Sequence, residues 1–314
     1  MRLLVNCDKL KLLSKKDITV LIQIEEIIKY HKNTIYVGNG WKHTSLLDTC
    51  IQYLPDIILF AADFDYNDID NSANINIPKI AMYQDFWHDI EKRMYLLEKN
   101  NIFGIITKNI IPDEYLQYYK LPYKINHSGY DENIFQPINY NKDIDILISG
   151  KLCPHLYPQR TRFSNIINNL KHDFNIVIRE HPSYFYDELD EKTEQIEYNK
   201  MLNRSKFALA GTALTHRLHM QKIWEISATS AICITDVNDT EPNSNLISKH
   251  TLPINPHTSD IDVENTIRRY MSTYDKNMYM YNNEIVKSYA SLKYRTIDLI
   301  NHLKWFTNNA LTSK

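Results

Sequence analysis

Short runs of β-branched and aliphatic residues alternate with longer helix-like stretches along almost the whole chain. This alternation is typical of βαβ units, in which helices connect parallel strands and cover both faces of the sheet. The centres of the runs are apolar and their flanks are charged, as expected for strands buried on both faces. The pattern therefore predicts an α/β protein built on parallel sheets.

The alternation runs twice. In the first half it predicts strands at Leu3–Cys7, Thr34–Val37, Asp56–Ala61, Lys79–Tyr83, Ile102–Thr107 and Tyr123–Asn126, with helices near 16–31, 42–53, 87–99 and 112–119. In the second half it predicts strands at Ile144–Ser149, Phe174–Arg179, Phe207–Ala210 and Ala231–Thr235, with helices near 158–171, 193–205, 216–229, 260–273, 276–290 and 294–308. The two halves are expected to share an architecture.

A length of 314 residues suits two domains, since domains commonly have about 150 residues. The polar stretch DENIFQPINYNKD contains a proline and has no steady period, which is typical of a linker. We expect a first domain of residues 1–134, a linker of residues 135–140 and a second domain of residues 141–290.

Composition excludes several classes of protein. The 36 Lys and Arg residues nearly balance the 38 Asp and Glu residues, so no global field favours nucleic acid as a partner. The four cysteines are scattered and form no CxxC metal motif, which indicates reduced thiols. No apolar run approaches the length of a membrane span, about 18 residues. We therefore expect a cytoplasmic protein without a transmembrane segment or a bound metal.

Glycine is scarce, with only 6 residues in the chain. Five glycines lie at or just past the carboxyl ends of predicted strands, where open parallel sheets bind ligands; they are Gly38, Gly40, Gly129, Gly150 and Gly211. Gly104 instead lies within a predicted strand. Most of these glycines are explained by turns, and Gly150 is singled out because of its neighbours.

Cationic residues follow two strands of the second half. The segment SGKLCPHLYPQR leads from a strand through Gly150 into a basic helix start, with Lys151, Arg160 and Arg162. A glycine lets the backbone approach a ligand, and a helix start offers free N–H groups, so this segment suits a diphosphate. REHP places Arg179 and His181 at the same edge of the sheet. Strand-end loops with solvated charges are the alternative explanation.

The predicted helix HRLHMQKIWEISA carries Arg217, Gln221 and Glu225 at spacings of four, with Lys222 three before the glutamate. A carboxylate here can accept both hydroxyls of a ribose, while the neighbouring cations can bind phosphate. The alternative is a salt-bridged surface helix. Trp224 and the apolar run after Glu225 favour a largely buried helix instead.

Several segments resemble the group 1 glycosyltransferases of the GT-B fold, in the right order over roughly residues 77–240. HSGYDENIFQP is similar to that family's crossing between domains, SGKLCP to its glycine-arginine-leucine loop, and KIWEISATSAICITD to its nucleotide-sugar helix and the following strand. IPKIAMYQD and IITKN stand where the family has strands ending in histidine-aspartate and near serine. Three positions depart from the pattern: Arg217 replaces a glutamate, Gln84 replaces a histidine, and GTAL replaces a glycine-rich turn.

The resemblance implies two doubly wound Rossmann-like domains facing a cleft, with residues 291–314 forming a helix that packs back towards the first domain. It also implies a metal-independent hexosyl- or pentosyltransferase of glycan biosynthesis that needs no cofactor. A nucleotide-diphosphate sugar would bind Gly150, Lys151, Arg160, Arg179, His181, Arg217, Lys222 and Glu225. The acceptor, a glycan or a lipid- or protein-linked group, would enter from the first domain, where Asp85 or His88 would remove its proton.

Two alternatives stay open. The substitutions at Gln84 and Arg217 suit a catalytically silent protein of the same fold that binds a nucleotide or a sugar. Asp63 and Asp65 end a predicted strand as the carboxylate pair with which GT-A glycosyltransferases hold a divalent metal. A single GT-A domain would leave the second α/β half unexplained.

Overall fold

The computed structural model describes residues 1–14, 18–61, 72–83, 89–111, 113–118, 120–179, 191–213, 219–237, 244–275 and 277–312. The chain forms two compact units: unit 1 comprises Met1–His127 and Lys293–Lys314, and unit 2 comprises Ser128–Leu292. Each unit has a parallel sheet of its own.

Unit 1 contains six strands: β1 (Leu3–Asn6), β2 (Thr34–Val37), β3 (Ile57–Phe60), β4 (Lys79–Tyr83), β5 (Gly104–Thr107) and β6 (Tyr123–Ile125). They pair in parallel in the order β2-β1-β3-β4-β5-β6. The described helices of this part are α1 (Lys9–Ser14), α2 (Ile18–Tyr30), α3 (Leu46–Tyr53), α4 (Ile90–Lys99) and α5 (Asp113–Leu116).

Unit 2 contains five strands: β7 (Ile144–Ser149), β8 (Ile176–Arg179), β9 (Ser205–Leu209), β10 (Ile232–Thr235) and β11 (Thr251–Pro253). They pair in parallel in the order β11-β10-β9-β7-β8. Its described helices are α6 (Pro158–Asn168), α7 (Glu191–Arg204), α8 (Gln221–Ser227), α9 (Ser244–His250), α10 (Asp260–Ser272) and α11 (Met278–Ala290). Buried side chains fill both faces of this sheet in two core clusters.

The last helix, α12 (Leu292–Thr312), belongs almost wholly to unit 1. Leu299, Leu303 and Phe306 are buried in the same core cluster as strands β1, β3 and β4. Phe306 lies directly over Gly104, since a Cβ added to that glycine would be 2.3 Å from the ring. This contact explains the one glycine that the sequence placed inside a strand.

The polar stretch after residue 130 lies within unit 2. The boundary between the two units follows His127, whereas the sequence predicted that the first domain ends at residue 134 and that residues 135–140 form a linker. Ile134 and Phe135 are buried in the core of unit 2, and the ring of Phe135 packs against Tyr198. Apolar side chains in a polar stretch therefore attach this segment to the second sheet.

All ten strands predicted from the sequence are present. The central strands are buried on both faces, whereas β6 and β8, at the sheet edges, are only partly buried. The pattern misses α1, α9 and β11, which are short and have no clear period. Strand β11 ends in Pro253 and lies at the sheet edge, where a proline is tolerated. The four cysteines are buried and free. In the described part of the chain, no helix combines the length and the apolar character of a membrane span.

Lys142 joins three parts of unit 2 at the base of the sheet, so its removal should destabilise the protein. Its Nζ donates to the carbonyl oxygens of Ser205 and Ser230, at 2.7 and 2.8 Å, and to the Ser230 hydroxyl at 2.7 Å. Lys142→Met should lower the free energy of unfolding by about 1–3 kcal/mol, because two buried carbonyls lose their donor. Urea unfolding measures this change.

The same substitution should flatten the pH dependence of stability. Burial lowers the pKa of Lys142 to about 7, from an ordinary value of 10.5. The unfolded chain therefore binds this proton more tightly, and the residue's contribution to stability rises with pH between those two values. Lys200→Met, which removes an exposed lysine paired with Glu197, is the control and should leave the slope unchanged. Equal slopes in Lys142→Met and wild type would contradict the prediction.

Candidate functional site

The carboxyl ends of the strands of unit 2 bring four segments together. Ser149 ends β7 and Gly150 follows it, Arg179 ends β8, and Thr212 and Asp236 follow β9 and β10. Because the strands are parallel, these residues share the edge at which open α/β sheets bind ligands. Asp236 is fully buried and accepts hydrogen bonds from the backbone N–H and the hydroxyl of Thr212, which ties two of the strand ends together.

Gly150 lies between two cationic side chains. A Cβ at this position would be 3.1 Å from Nη1 of Arg160 and 3.1 Å from Cε of Lys222. Its φ of +95° is in the left-handed region that favours glycine. Glycine therefore serves both the turn after β7 and the close approach of two positive charges to the backbone.

Arg160 lies on the first turn of α6, which begins with Pro158. Its side chain is 3% exposed, and its guanidinium lies 4.1 Å from the ring centre of Tyr157. Nη2 donates to the carbonyl of Gly211 at 3.4 Å, and Nη1 is 3.5 Å from the carbonyl oxygen of Lys151. Burial lowers its pKa from the ordinary value of 12.5, but arginine keeps its charge in proteins. Arg160 thus fixes the loop after β7 from beneath.

Lys222, on α8, approaches the same loop from another side. Its Nζ donates to the hydroxyl of Tyr198 at 3.1 Å and lies 3.5 Å from Oγ of Ser149. Burial lowers the pKa of Lys222 to about 8. Arg160 and Arg179 lower it as well, whereas Glu225 raises it. The ammonium is therefore held where positive charge is already concentrated.

Glu225 lies one turn after Lys222 on α8 and is partly buried. Gln221 donates to its Oε1 at 2.9 Å. No hydrogen bond to Oε2 is found in the part of the chain that the structure describes, which leaves this oxygen available to a ligand hydroxyl. Burial raises the pKa of Glu225, while Lys222 and the bond from Gln221 oppose that rise.

Arg179 and Lys151 are placed differently from each other. Arg179 forms an ion pair with Glu194 of α7, and its guanidinium lies 5.3 Å from the ring centre of Tyr198. Lys151 is exposed on the loop after Gly150. The structure thus brings Gly150, Lys151, Arg160, Arg179 and Lys222 to one edge, with Glu225 on the helix that carries Lys222.

Arg162 does not join this group, although the sequence suggested that it would add charge for a diphosphate. Its Nε and Nη2 donate to Asp260, and Nη1 donates to the carbonyl of Pro256 at 2.7 Å. Nη2 also donates to the carbonyl of Thr258. These hydrogen bonds occupy the guanidinium of Arg162 and anchor the loop before α10.

The remaining predicted site residues lie outside the described residues. They are Asp85, His88, His181 and Arg217, together with Gln84, Asp63 and Asp65. Among the described residues, no group of three or more His, Cys, Asp or Glu side chains is arranged to hold a metal ion.

Sequence reasoning missed Ser149 and Tyr198. Tyr198 lies on α7, whose sequence EKTEQIEYNKMLNR is polar and resembles that of a surface helix. It is nevertheless 4% exposed, and its hydroxyl lies 2.9 Å from Oγ of Ser149. A lone tyrosine in a polar helix indicates a buried side chain. Its contacts come from other elements, and no pattern in the neighbouring sequence identifies them.

The arrangement can bind an anionic ligand that also carries hydroxyl groups. Two buried or partly buried cations flank the backbone of Gly150, where a phosphate can approach. Glu225, one turn after Lys222 on α8, offers a carboxylate oxygen to the hydroxyl groups of such a ligand.

No protein-family model and no curated protein matches the sequence. Solved structures do resemble it. A glycosyltransferase from Rickettsia africae has a TM-score of 0.62 at 12% identity, with 98% of each chain covered. HepE from Anabaena, solved in complex with UDP, has a TM-score of 0.57 at 8% identity, covering 97% of this chain and 100% of its own.

Sucrose-phosphate synthase from Thermosynechococcus elongatus has a TM-score of 0.55 at 9% identity, covering 88% of this chain and 84% of its own. At such identities the likeness concerns the fold alone. The chain therefore has the α/β fold of GT-B glycosyltransferases, with two Rossmann-like units.

Proposed function

We propose that the protein is a glycosyltransferase, similar to the group 1 family, that transfers a hexosyl or pentosyl group from a nucleotide-diphosphate sugar. The observation that carries the proposal is the position of Gly150 between Arg160 and Lys222, with Glu225 one turn further along α8. The fold supports it, since several solved glycosyltransferases resemble this chain. UDP, the ligand of HepE, is a nucleoside diphosphate of the kind this site suits.

Departure of the diphosphate is the costly step that the site would assist. Negative charge grows on the leaving phosphates, and the ammonium of Lys222 and the guanidinium of Arg160, which flank Gly150, are proposed to stabilise it. One well-placed donor of this kind commonly contributes about 3 kcal/mol to the stability of a transition state. These groups could supply the stabilisation without a metal, and His181 and Arg217 are proposed to join them.

The acceptor is proposed to be a hydroxyl of a glycan or of a lipid- or protein-linked group, as in glycan biosynthesis. Asp85 or His88 would take its proton if the configuration at the transferred sugar is inverted. If it is retained, Asp85 would position the sugar or the acceptor instead.

Release of nucleotide from a panel of uridine, guanosine and thymidine diphosphate sugars tests the function. We expect at least one donor to be turned over, with less than about a twofold change when EDTA is added, because the cations belong to the protein. Loss of activity with EDTA would favour the metal-dependent alternative based on Asp63 and Asp65. Donor binding without turnover would favour the catalytically silent protein, and absence of both would refute the proposal.

A further inference from the structure

Tyr198 is the meeting point of the groups that surround Gly150, although it is remote from them in sequence. It projects from α7 and contacts Ser149 at the end of β7, Arg179 at the end of β8 and Lys222 on α8. The ring is 4% exposed and is braced by Phe135, whose ring centre is 6.1 Å away. Tyr198 is therefore a fixed element of the site.

The contacts of Tyr198 restrict Lys222 in two ways. The Nζ lies 3.1 Å from the hydroxyl and 4.2 Å from the ring centre, so the ammonium is held by an oxygen and by the π face together. Oγ of Ser149 lies 2.9 Å from the same hydroxyl and 3.5 Å from Nζ, closing a triangle. An ammonium has three N–H groups, so one remains for a ligand after these two oxygens.

Lys222 benefits from such a restraint because burial disfavours its charged form and two guanidinium groups lie near it. Burial lowers the pKa of Lys222 most, Glu225 on its own helix opposes that change, and Arg160 from α6 and Arg179 from β8 add to it. Cys233 from β10 is also close, but burial raises the pKa of its thiol, so it stays uncharged. A lysine side chain is flexible and could turn away from two guanidinium groups. The hydroxyl and the ring of Tyr198 offset that repulsion at the place where the backbone of Gly150 is approachable.

We propose that Tyr198 is a positioning residue, which holds the Lys222 ammonium against the Gly150 loop so that its remaining N–H faces the leaving diphosphate. This inference rests on the proposed function for the identity of the ligand. The contact between Tyr198 and Lys222 does not depend on it.

A pH dependence follows from this arrangement. The pKa of Lys222 is lowered to about 8, so the ammonium, and with it the turnover, is lost as the pH rises through that value. Removing the hydroxyl of Tyr198 takes away an acceptor that favours the charged form, so it lowers this pKa further. The alkaline decline in turnover then moves to lower pH.

Tyr198→Phe tests the proposal, since it removes the hydroxyl and keeps the ring in the core. We expect kcat to fall about tenfold, because one hydrogen bond to a charged group is lost, and KM for the donor to change less than about twofold, because the charge on the leaving group develops in the transition state. Tyr289→Phe is the matched control: Tyr289 contacts Trp224 of α8, the helix that carries Lys222, and packs against the core cluster that contains Tyr198. It should leave kcat and the pH profile unchanged.

An NMR titration of ¹³C-labelled lysines, with Lys222 assigned by Lys222→Arg, supplies a readout that needs no turnover. The proposal predicts that Lys222 titrates at lower pH in Tyr198→Phe than in wild type or in Tyr289→Phe. An unchanged Lys222 titration overturns the proposal, and so does an unchanged kcat in an enzyme whose wild type is active. If wild type turns over no donor, the proposed function fails, and the titration alone still decides whether Tyr198 fixes Lys222.

Discussion

Replacing Glu225 with glutamine is expected to lower kcat/KM for the sugar donor by about 100-fold or more. The carboxylate would accept both hydroxyls of the ribose, and each hydrogen bond to a charged group is worth about 1.5–3 kcal/mol. Glutamine preserves the shape of the side chain but offers one acceptor oxygen in place of two. The bond from Gln221 already occupies Oε1, so the variant has little capacity left for a diol. Release of nucleotide under steady-state conditions measures the loss.

A nucleoside diphosphate that lacks the ribose hydroxyls distinguishes a loss of ribose binding from a general loss of structure. Wild type should bind a nucleoside diphosphate more tightly than its 2′,3′-dideoxy analogue, whereas Glu225→Gln should bind the two with similar affinity. Glu197→Gln is the matched control, because it removes a glutamate from the exposed face of α7, and it should behave as wild type. If Glu225→Gln keeps the preference for the ribose diol, the carboxylate does not bind it.

The same carboxylate should set the acid limit of activity. Burial raises the pKa of Glu225 above its ordinary value of 4.5, so the group takes up a proton as the pH falls through that raised value. A protonated carboxyl accepts hydrogen bonds from a diol less well than a carboxylate does. The expected profile of kcat/KM is therefore bell-shaped, with the alkaline limb due to Lys222.

Gly104→Ala is expected to destabilise unit 1 by about 3 kcal/mol, towards the upper end of the range for overpacking. The added methyl group would lie 2.3 Å from Cε1 and 2.8 Å from Cδ1 of Phe306. Phe306 is fully buried, and Phe103 packs edge-on against its ring, so the ring cannot turn aside freely. The strain must then move either β5 or α12. Chemical unfolding and hydrogen exchange across Leu292–Thr312 measure the effect.

A double-mutant cycle shows whether the ring causes the loss. Phe306→Leu alone should destabilise the protein, since it removes buried ring atoms. The double variant, which carries both Phe306→Leu and Gly104→Ala, should be more stable than the sum of the two single changes predicts, because the smaller side chain makes room for the methyl group. A change of less than about 0.5 kcal/mol in Gly104→Ala, the size expected at a neutral surface position, would contradict the contact.

The fold was largely predictable because its signal is local. A central strand of a two-sided α/β sheet buries both faces, so its apolar run identifies it without knowledge of its partners. Elements that depend on a neighbour lacked such a signal: β11 pairs with β10 at the sheet edge, and Ile134 and Phe135 lie in a stretch whose polar composition suggested a linker.

The candidate site was predictable only where one segment carries several of its groups. Gly150 with Lys151 and Arg160, and Lys222 with Glu225, stand on single segments, and the structure brings the two segments together. The local pattern of charge by itself offered both Arg160 and Arg162 as cations for a diphosphate. They lie two residues apart on α6, on nearly opposite sides of the helix, and only Arg160 faces the glycine loop, while Arg162 binds Asp260.

The sequence by itself determined the two α/β halves, the strands that build their sheets and the segments whose carboxyl ends could bind a ligand, because periodicity, glycine positions and charge are properties of neighbouring residues. Only the tertiary structure decided which cations meet at Gly150, that Phe306 requires Gly104, and that Tyr198 holds Lys222. Those contacts join residues far apart in the chain, and their energies depend on distances of a few ångströms that no local pattern encodes.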